Sequence, residues 1–348
     1  MSLRPPLSSA SLRSLEYQPC QAVPRVGVPL SGEVRASPYV ALPQRTGPSS
    51  ALALAAAGFP GLSLDLTNDQ GVVDRVRAEG ELEHLGLAYL RADQTVGALP
   101  SEYRAPLADL TRQVEQPRLH GVRIELSGPL NLAMELVDEY AHPLIEIPAL
   151  REALGQHLVL RGSWLHEQLS LTSGGALICL DEPFLEALTS PFCPIDWAEG
   201  FDLLSRTLAD LPPPRGLCVT GVPNWSDLVS LPVELIFFDA YGQTSGLTQA
   251  SAAVAAYLER GGMLAWGVVP TDPQLLDQDQ AELLAQRMHR SVSELAATGA
   301  ISSEQIWAAT LITTTGRLSH LPVAVATQAA LRCHELAHQL QQILQLEP

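Results

Sequence analysis

The sequence predicts an α/β protein built on a parallel sheet. Short β-rich runs recur from about residue 46 onward, each followed by a stretch long enough for a helix. Most of these runs are continuously apolar rather than alternating, the pattern of parallel strands covered on both faces. The chain is 46% hydrophobic but only 5% aromatic, so its core is mainly Leu, Val, Ile and Ala.

The elements follow in order. Residues 1–45 hold Pro5, Pro6, Pro19, Pro24, Pro29, Pro38 and Pro43; proline removes backbone donors and breaks helices, so this segment reads as an extended arm. The predicted strands are Val122–Leu126, Ala176–Leu180, Gly216–Thr220, Glu234–Phe238, Met263–Val268 and Thr310–Thr314. Helical spacing fills segments such as Glu146–Gly155 and Ser251–Gly261, with Gly155 and Gly261 placed as helix C-caps. Strand–helix units in series require a parallel sheet, open or closed. Two further strands, near Val26–Val28 and over Tyr39–Leu42, would complete eight, with little room for a helix between them. The expectation over 46–348 is therefore a (β/α)8 TIM-type barrel with an irregular or incomplete first β/α unit. No G-x-G-x-x-G follows a strand, which argues against a dinucleotide fold.

Composition excludes several functions. The formal charge is −17, and so acidic a surface repels phosphate backbones and anionic lipid, arguing against nucleic-acid and membrane partners. All 21 basic residues are Arg. Without lysine there is no Schiff-base chemistry and no Walker-type phosphate loop. The longest apolar stretch, around Ala51–Phe59, is far short of the ~20 residues that span a bilayer. No apolar leader is visible, and Cys20, Cys179, Cys193, Cys218 and Cys333 form no CxxC pair. Both features point to a cytoplasmic protein with isolated thiols.

In such barrels chemistry sits at the C-terminal ends of the strands. Those ends read Ser127-Gly128-Pro129, Asp181-Glu182-Pro183, Cys218-Val219-Thr220, Asp239, Asp272 and Thr313-Thr314-Thr315. The acids make an anionic mouth suited to a cation or a substrate ammonium group. The plainer reading of any one of them is a helix cap. Trp225, Tyr241 and Trp266 would line a pocket or simply pack.

The segments RIELSGPLNLA, LICLDEPFL, GLCVTGVPNW, VELIFFDAY and AWGVVPT, with YVALPQR before them, occur in the order found in cobalamin-independent methionine synthase. Over roughly residues 38–340 the chain resembles that family, within the superfamily that includes uroporphyrinogen decarboxylase. The resemblance implies methyl transfer to a small thiol such as homocysteine, from a methyl-folate or a corrinoid protein. It places Asp181 and Glu182 on the substrate amino group, with Ser127, Asn224 and Asp272 also facing the substrate, and Cys218 and Asp239 near the reacting atom. The family's zinc ligands would fall on Cys218, Thr220, Asp239 and Thr315. Thr220 and Thr315 stand where relatives carry cysteine, so at most Cys218 and Asp239 would ligate, and no cofactor is firmly expected; Cys20 would be a compensating donor. A non-catalytic relative, binding a ligand or a partner, is the alternative from a different class.

One literal motif competes. His334-Glu335-Leu336-Ala337-His338 matches H-E-x-x-H, which on a helix binds zinc. Here Ala329, Cys333, Leu336, Leu340 and Leu344 form an apolar stripe instead, leaving His334, His338 and Gln341 towards solvent.

Overall fold

The computed structural model describes residues 35–36, 51–65, 70–104, 122–170, 176–221, 224–242, 244–318 and 321–346. It shows a mixed α/β fold with a mostly parallel sheet. Two compact units are present, one spanning Arg45–Cys218 and the other joining the N-terminal strand to Val219–Pro348.

Strand β1 (Arg35–Ala36) comes first along the chain. The Arg45–Cys218 unit then opens with α1 (Ala51–Ala56), whose sequence ALALAA has no polar face and is buried from Leu52 to Ala56. Strands β2 (Leu62–Asp65) and β3 (Gln70–Val73) pair antiparallel, Leu62 opposite Val73. Helix α2 (Arg75–Leu90) starts where the Asp74 side chain accepts from the Arg77 amide, satisfying a donor the first turn leaves orphaned. Strand β4 (Val122–Ser127) leads through Gly128 into α3 (Pro129–Glu135), where Pro129 occupies the first turn at no hydrogen-bonding cost. A short β5 (Val137–Asp138) joins β3 in parallel. Helix α4 (Pro148–Ser170), strand β6 (Ala176–Glu182), helix α5 (Trp197–Asp210) and strand β7 (Arg215–Val219) complete the unit. Helix α5 buries Gly200, Leu203, Leu204, Thr207 and Leu208, one helical face. All seven β6 residues are buried; burying each large aliphatic side chain is worth about 1.5–3 kcal/mol. The parallel order is β4–β6–β7.

The other unit continues with α6 (Trp225–Leu228), β8 (Leu235–Asp239), α7 (Ser245–Gln249), α8 (Ser251–Glu259) and β9 (Met263–Val269). It ends with α9 (Pro273–Gln278), α10 (Ala281–Ala296), α11 (Ser303–Ala308), β10 (Thr310–Thr314) and α12 (Val323–Leu346). Its strands run parallel in the order β8–β9–β10–β1. Helix α11 opens with a reciprocal capping box between Ser302 and Gln305.

Strands are present at all the runs read as strands from Val122 onward, with small shifts at their ends. Gly261 ends α8 with φ of 94°, a left-handed conformation that favours glycine. Gly155 differs from expectation. It lies inside α4, where a Cβ would come within 2.8 Å of the Thr207 hydroxyl and 3.1 Å of Leu203. This glycine permits close helix packing rather than a helix stop. The strands expected near Val26–Val28 and over Tyr39–Leu42 lie outside the described residues, as does Cys20. Among the described residues no pairing closes the strands into a barrel, and no helix is long and apolar enough to cross a membrane.

Candidate functional site

Strand geometry sorts the polar residues of the Arg45–Cys218 unit onto faces. In the β4–β6 register Glu125 lies opposite Cys179 and Ser127 opposite Asp181. Because side chains alternate along a strand, Arg123, Glu125, Ser127, Cys179 and Asp181 share one face. Cys218 on β7 joins them by contact. The opposite face carries Ile124, Leu126, Ile178 and Leu180, all buried.

Two layers result. The deeper layer is Arg123, Glu125, Cys179 and Cys218. The Arg123 Nη2 group contacts the Glu125 carboxylate and lies 3.1 Å from the Cys218 sulfur. The Cys218 sulfur is 3.8 Å from Glu125 Oε2 and shares a hydrogen bond with Cys179. Burial pushes the Cys218 thiol well up, and its hydrogen bond to Cys179 adds to this. Burial acts the same way on Cys179, but the hydrogen bond with Cys218 and the Arg123 charge outweigh it and leave that thiol below its ordinary value. The outer layer, at the strand ends where the loops begin, is Ser127 beside Asp181, both largely buried.

Glu182 turns the other way. It is wholly buried, and its two carboxylate oxygens accept from the backbone amides of Leu130 at 2.9 Å and Asn131 at 2.8 Å. These are first-turn donors of α3, so the side chain caps that helix from a distance. Gly128 makes room for it, since a Cβ there would fall 2.2 Å from Glu182 Oε1. Burial pushes the Glu182 carboxyl up to about 8, against the two amides that favour the charge.

The other unit is arranged by local bonds. Asp239 ends β8 half-buried and accepts from the Tyr241 amide at 2.9 Å; burial raises its carboxyl. Asn224 caps α6 through the Ser226 and Asp227 amides, and Asp272 caps α9 through those of Gln274 and Leu275. Thr220 is exposed. The Thr315 hydroxyl accepts from the Thr271 amide at 3.1 Å, tying the loop after β9 to the end of β10. Tyr241 donates to Asp279 at 2.5 Å, and Arg287 contacts the same carboxylate at 2.7 Å. Phe238 meets Trp225 edge-on and Trp266 at a tilt, and all three are buried as core. On α12 Cys333, Leu336 and Leu340 are buried, His338 is exposed, and Glu335 pairs with Arg332.

The zinc that the family resemblance implies does not fit these donors. Among the described residues no three His, Cys, Asp or Glu side chains group as a metal site. The Cys218 sulfur faces a guanidinium, and the Thr220 and Thr315 hydroxyls are poor zinc ligands. A scan of protein-family models and a search of curated proteins found no match to the chain.

Arg123, Glu125 and Cys179 were not singled out by sequence reasoning. The signal was present, because Arg123, Glu125 and Ser127 are spaced by two within a short strand, as are Cys179 and Asp181. A buried strand with polar residues on one parity has a polar face.

Proposed function

We propose that the chain binds a small amino-acid-like molecule, with Asp181 receiving its ammonium group beside the Ser127 hydroxyl. The observation that carries this reading is the side-by-side register of Ser127 and Asp181 at the C-terminal ends of β4 and β6. Ligands of open and closed parallel sheets lie at that end. Asp181 is largely buried, and an ammonium group draws more strongly on a carboxylate in such a low-dielectric setting than in water. Glu182, expected beside it, caps α3 instead. The finer architecture belongs to this reading: a methionine synthase-like (β/α)8 barrel, kept in the cytoplasm as a binding module. The regular strand order and the free thiols Cys179, Cys193, Cys218 and Cys333 support it.

Methyl transfer to homocysteine, from a methyl-folate or a corrinoid protein, is the second reading. Asp239 favours it, a half-buried carboxylate at the end of β8 where the resemblance puts one near the reacting atom.

Titration calorimetry with methionine and homocysteine tests the first reading. Wild type binds one of them, and Asp181→Asn loses at least tenfold in affinity, about 1.4 kcal/mol. No binding of either by wild type ends that reading. Methyl-folate-dependent methylation of homocysteine by wild type, lost in Asp239→Asn, establishes the second.

A further inference from the structure

The deeper layer of the polar face is not needed to hold an ammonium group, and it has its own chemistry. Cys179 and Cys218 are held sulfur to sulfur on the neighbouring strands β6 and β7. Gly216 makes this approach possible, for a Cβ there would stand 2.2 Å from the Cys179 sulfur. Arg123 places its guanidinium 3.1 Å from the Cys218 sulfur, and a cation at that distance stabilises a thiolate. Glu125 gives the cluster an outlet: its carboxylate lies 3.8 Å from Cys218, while its side chain is 15% exposed. Core cysteines that only fill space look different. Cys333 is buried on α12, and burial alone raises its thiol.

We propose that Cys179 and Cys218 are a redox-active dithiol that a small hydroperoxide converts reversibly to a disulfide. One sulfur, as thiolate, attacks the peroxide oxygen. The O–O bond breaks, an alcohol or water leaves with the proton, and a sulfenic acid remains. The second sulfur then displaces the hydroxyl, which leaves as water with that thiol's proton, and the S–S bond forms. Two thiols are oxidised by two electrons and one hydroperoxide is reduced. Arg123 favours the thiolate that begins the first step. The inference is independent of the ammonium site.

The test uses the full chain. Hydrogen peroxide is raised until the half-buried Cys193 begins to oxidise, which fixes the dose. The protein is then unfolded, free thiols are blocked with iodoacetamide, and the chain is cut after glutamate. Cleavage at Glu182, Glu186, Glu199 and Glu234 separates Cys179, Cys193 and Cys218 onto different peptides. The expected product is the Cys179 and Cys218 peptides joined and lighter by two hydrogens, released by dithiothreitol. Cys179 and Cys218 both carrying the iodoacetamide label overturns the proposal. So does either one linked to Cys193, or oxidised beyond the reach of dithiothreitol. In Cys218→Ser the joined peptide disappears; if Cys179 instead joins another cysteine there to the same extent, the pairing is not specific and the proposal fails.

Discussion

Among the described residues three arginines lie buried in the Arg45–Cys218 unit, and two of them, Arg161 and Arg123, are held in different ways. Arg161 on α4 is fully buried and donates to backbone carbonyls, Gly97 and Leu54 at 2.6 Å each and Ala57. Beside it, His157 reaches the Ala55 carbonyl at 3.0 Å. The Leu54, Ala55 and Ala57 carbonyls lie at the C-terminal end of α1, where carbonyls lack helical partners and the dipole is negative. Arg161 thus neutralises a helix end with no carboxylate among these contacts. Burial lowers its pKa only to about 9, so it stays charged near neutrality. Arg123, by contrast, faces Glu125 and the Cys218 sulfur. Burial of a cation therefore does not mark chemistry by itself. Carbonyl partners mark architecture, and ionisable partners mark a place where charge can change.

Removing each guanidinium is the strongest way to break that contrast. Arg161→Met leaves three carbonyls without this donor, and the expected loss is about 4 kcal/mol in urea unfolding, from roughly 1–3 kcal/mol per orphaned buried group. A loss under about 1 kcal/mol would mean that water replaces the side chain. Arg123→Met should cost about half as much, because Glu125 is partly exposed, and it should slow alkylation of the native Cys218 thiol. Equal thiol reactivity in Arg123→Met and wild type would make Arg123 as purely structural as Arg161.

The buried acid and the buried base should give opposite slopes with pH. Glu182 has its carboxyl raised from 4.5 to about 8, chiefly by burial. Between those values the folded chain holds a proton that the unfolded chain releases, so stability falls as pH rises. Glu182→Gln should flatten that decline in urea unfolding between about pH 5 and pH 8; an unchanged decline would show that the Leu130 and Asn131 amides keep the carboxylate ionised. His157 is lowered from 6.5 to about 3 by burial and by Arg161. Its contribution is complete above 6.5 and is lost as pH falls towards 3, and His157→Gln should remove that acid-side loss.

The smallest effect separates two aspartates. Asp272→Ala removes the cap of α9 and should cost about 1 kcal/mol, without changing ligand binding. Asp181→Asn should leave the unfolding midpoint nearly unchanged while it abolishes binding. A stability loss in Asp181→Asn as large as that in Asp272→Ala would put both residues in the architectural class.

How much of this was legible varied with the kind of signal. Strand positions were legible because parallel strands covered on both sides are apolar in sequence, as in LICL and LIFF. The antiparallel pair β2–β3 was missed, since QGVV and LSLD are too short and polar to stand out. Gly155 was misread because the sequence of a helix-ending glycine and of a helix-packing glycine can be the same. Asn224 and Asp272 behave as the caps that any strand-end polar residue resembles, and no local signal separated them from Asp181.

By itself the sequence determined an α/β protein with no lysine chemistry, an acidic surface, and strands beginning near Val122, Ala176, Gly216, Glu234, Met263 and Thr310. Only the tertiary structure decided what the neighbours Asp181 and Glu182 do. Successive strand residues point to opposite faces, so one of the pair had to meet the helix layer and the other the polar face. Which went where depended on the backbone amides of α3, brought against β6 by packing, to receive the buried carboxylate. The same packing set two cysteines and an arginine, far apart in sequence, within reach of one another, which no local pattern encodes.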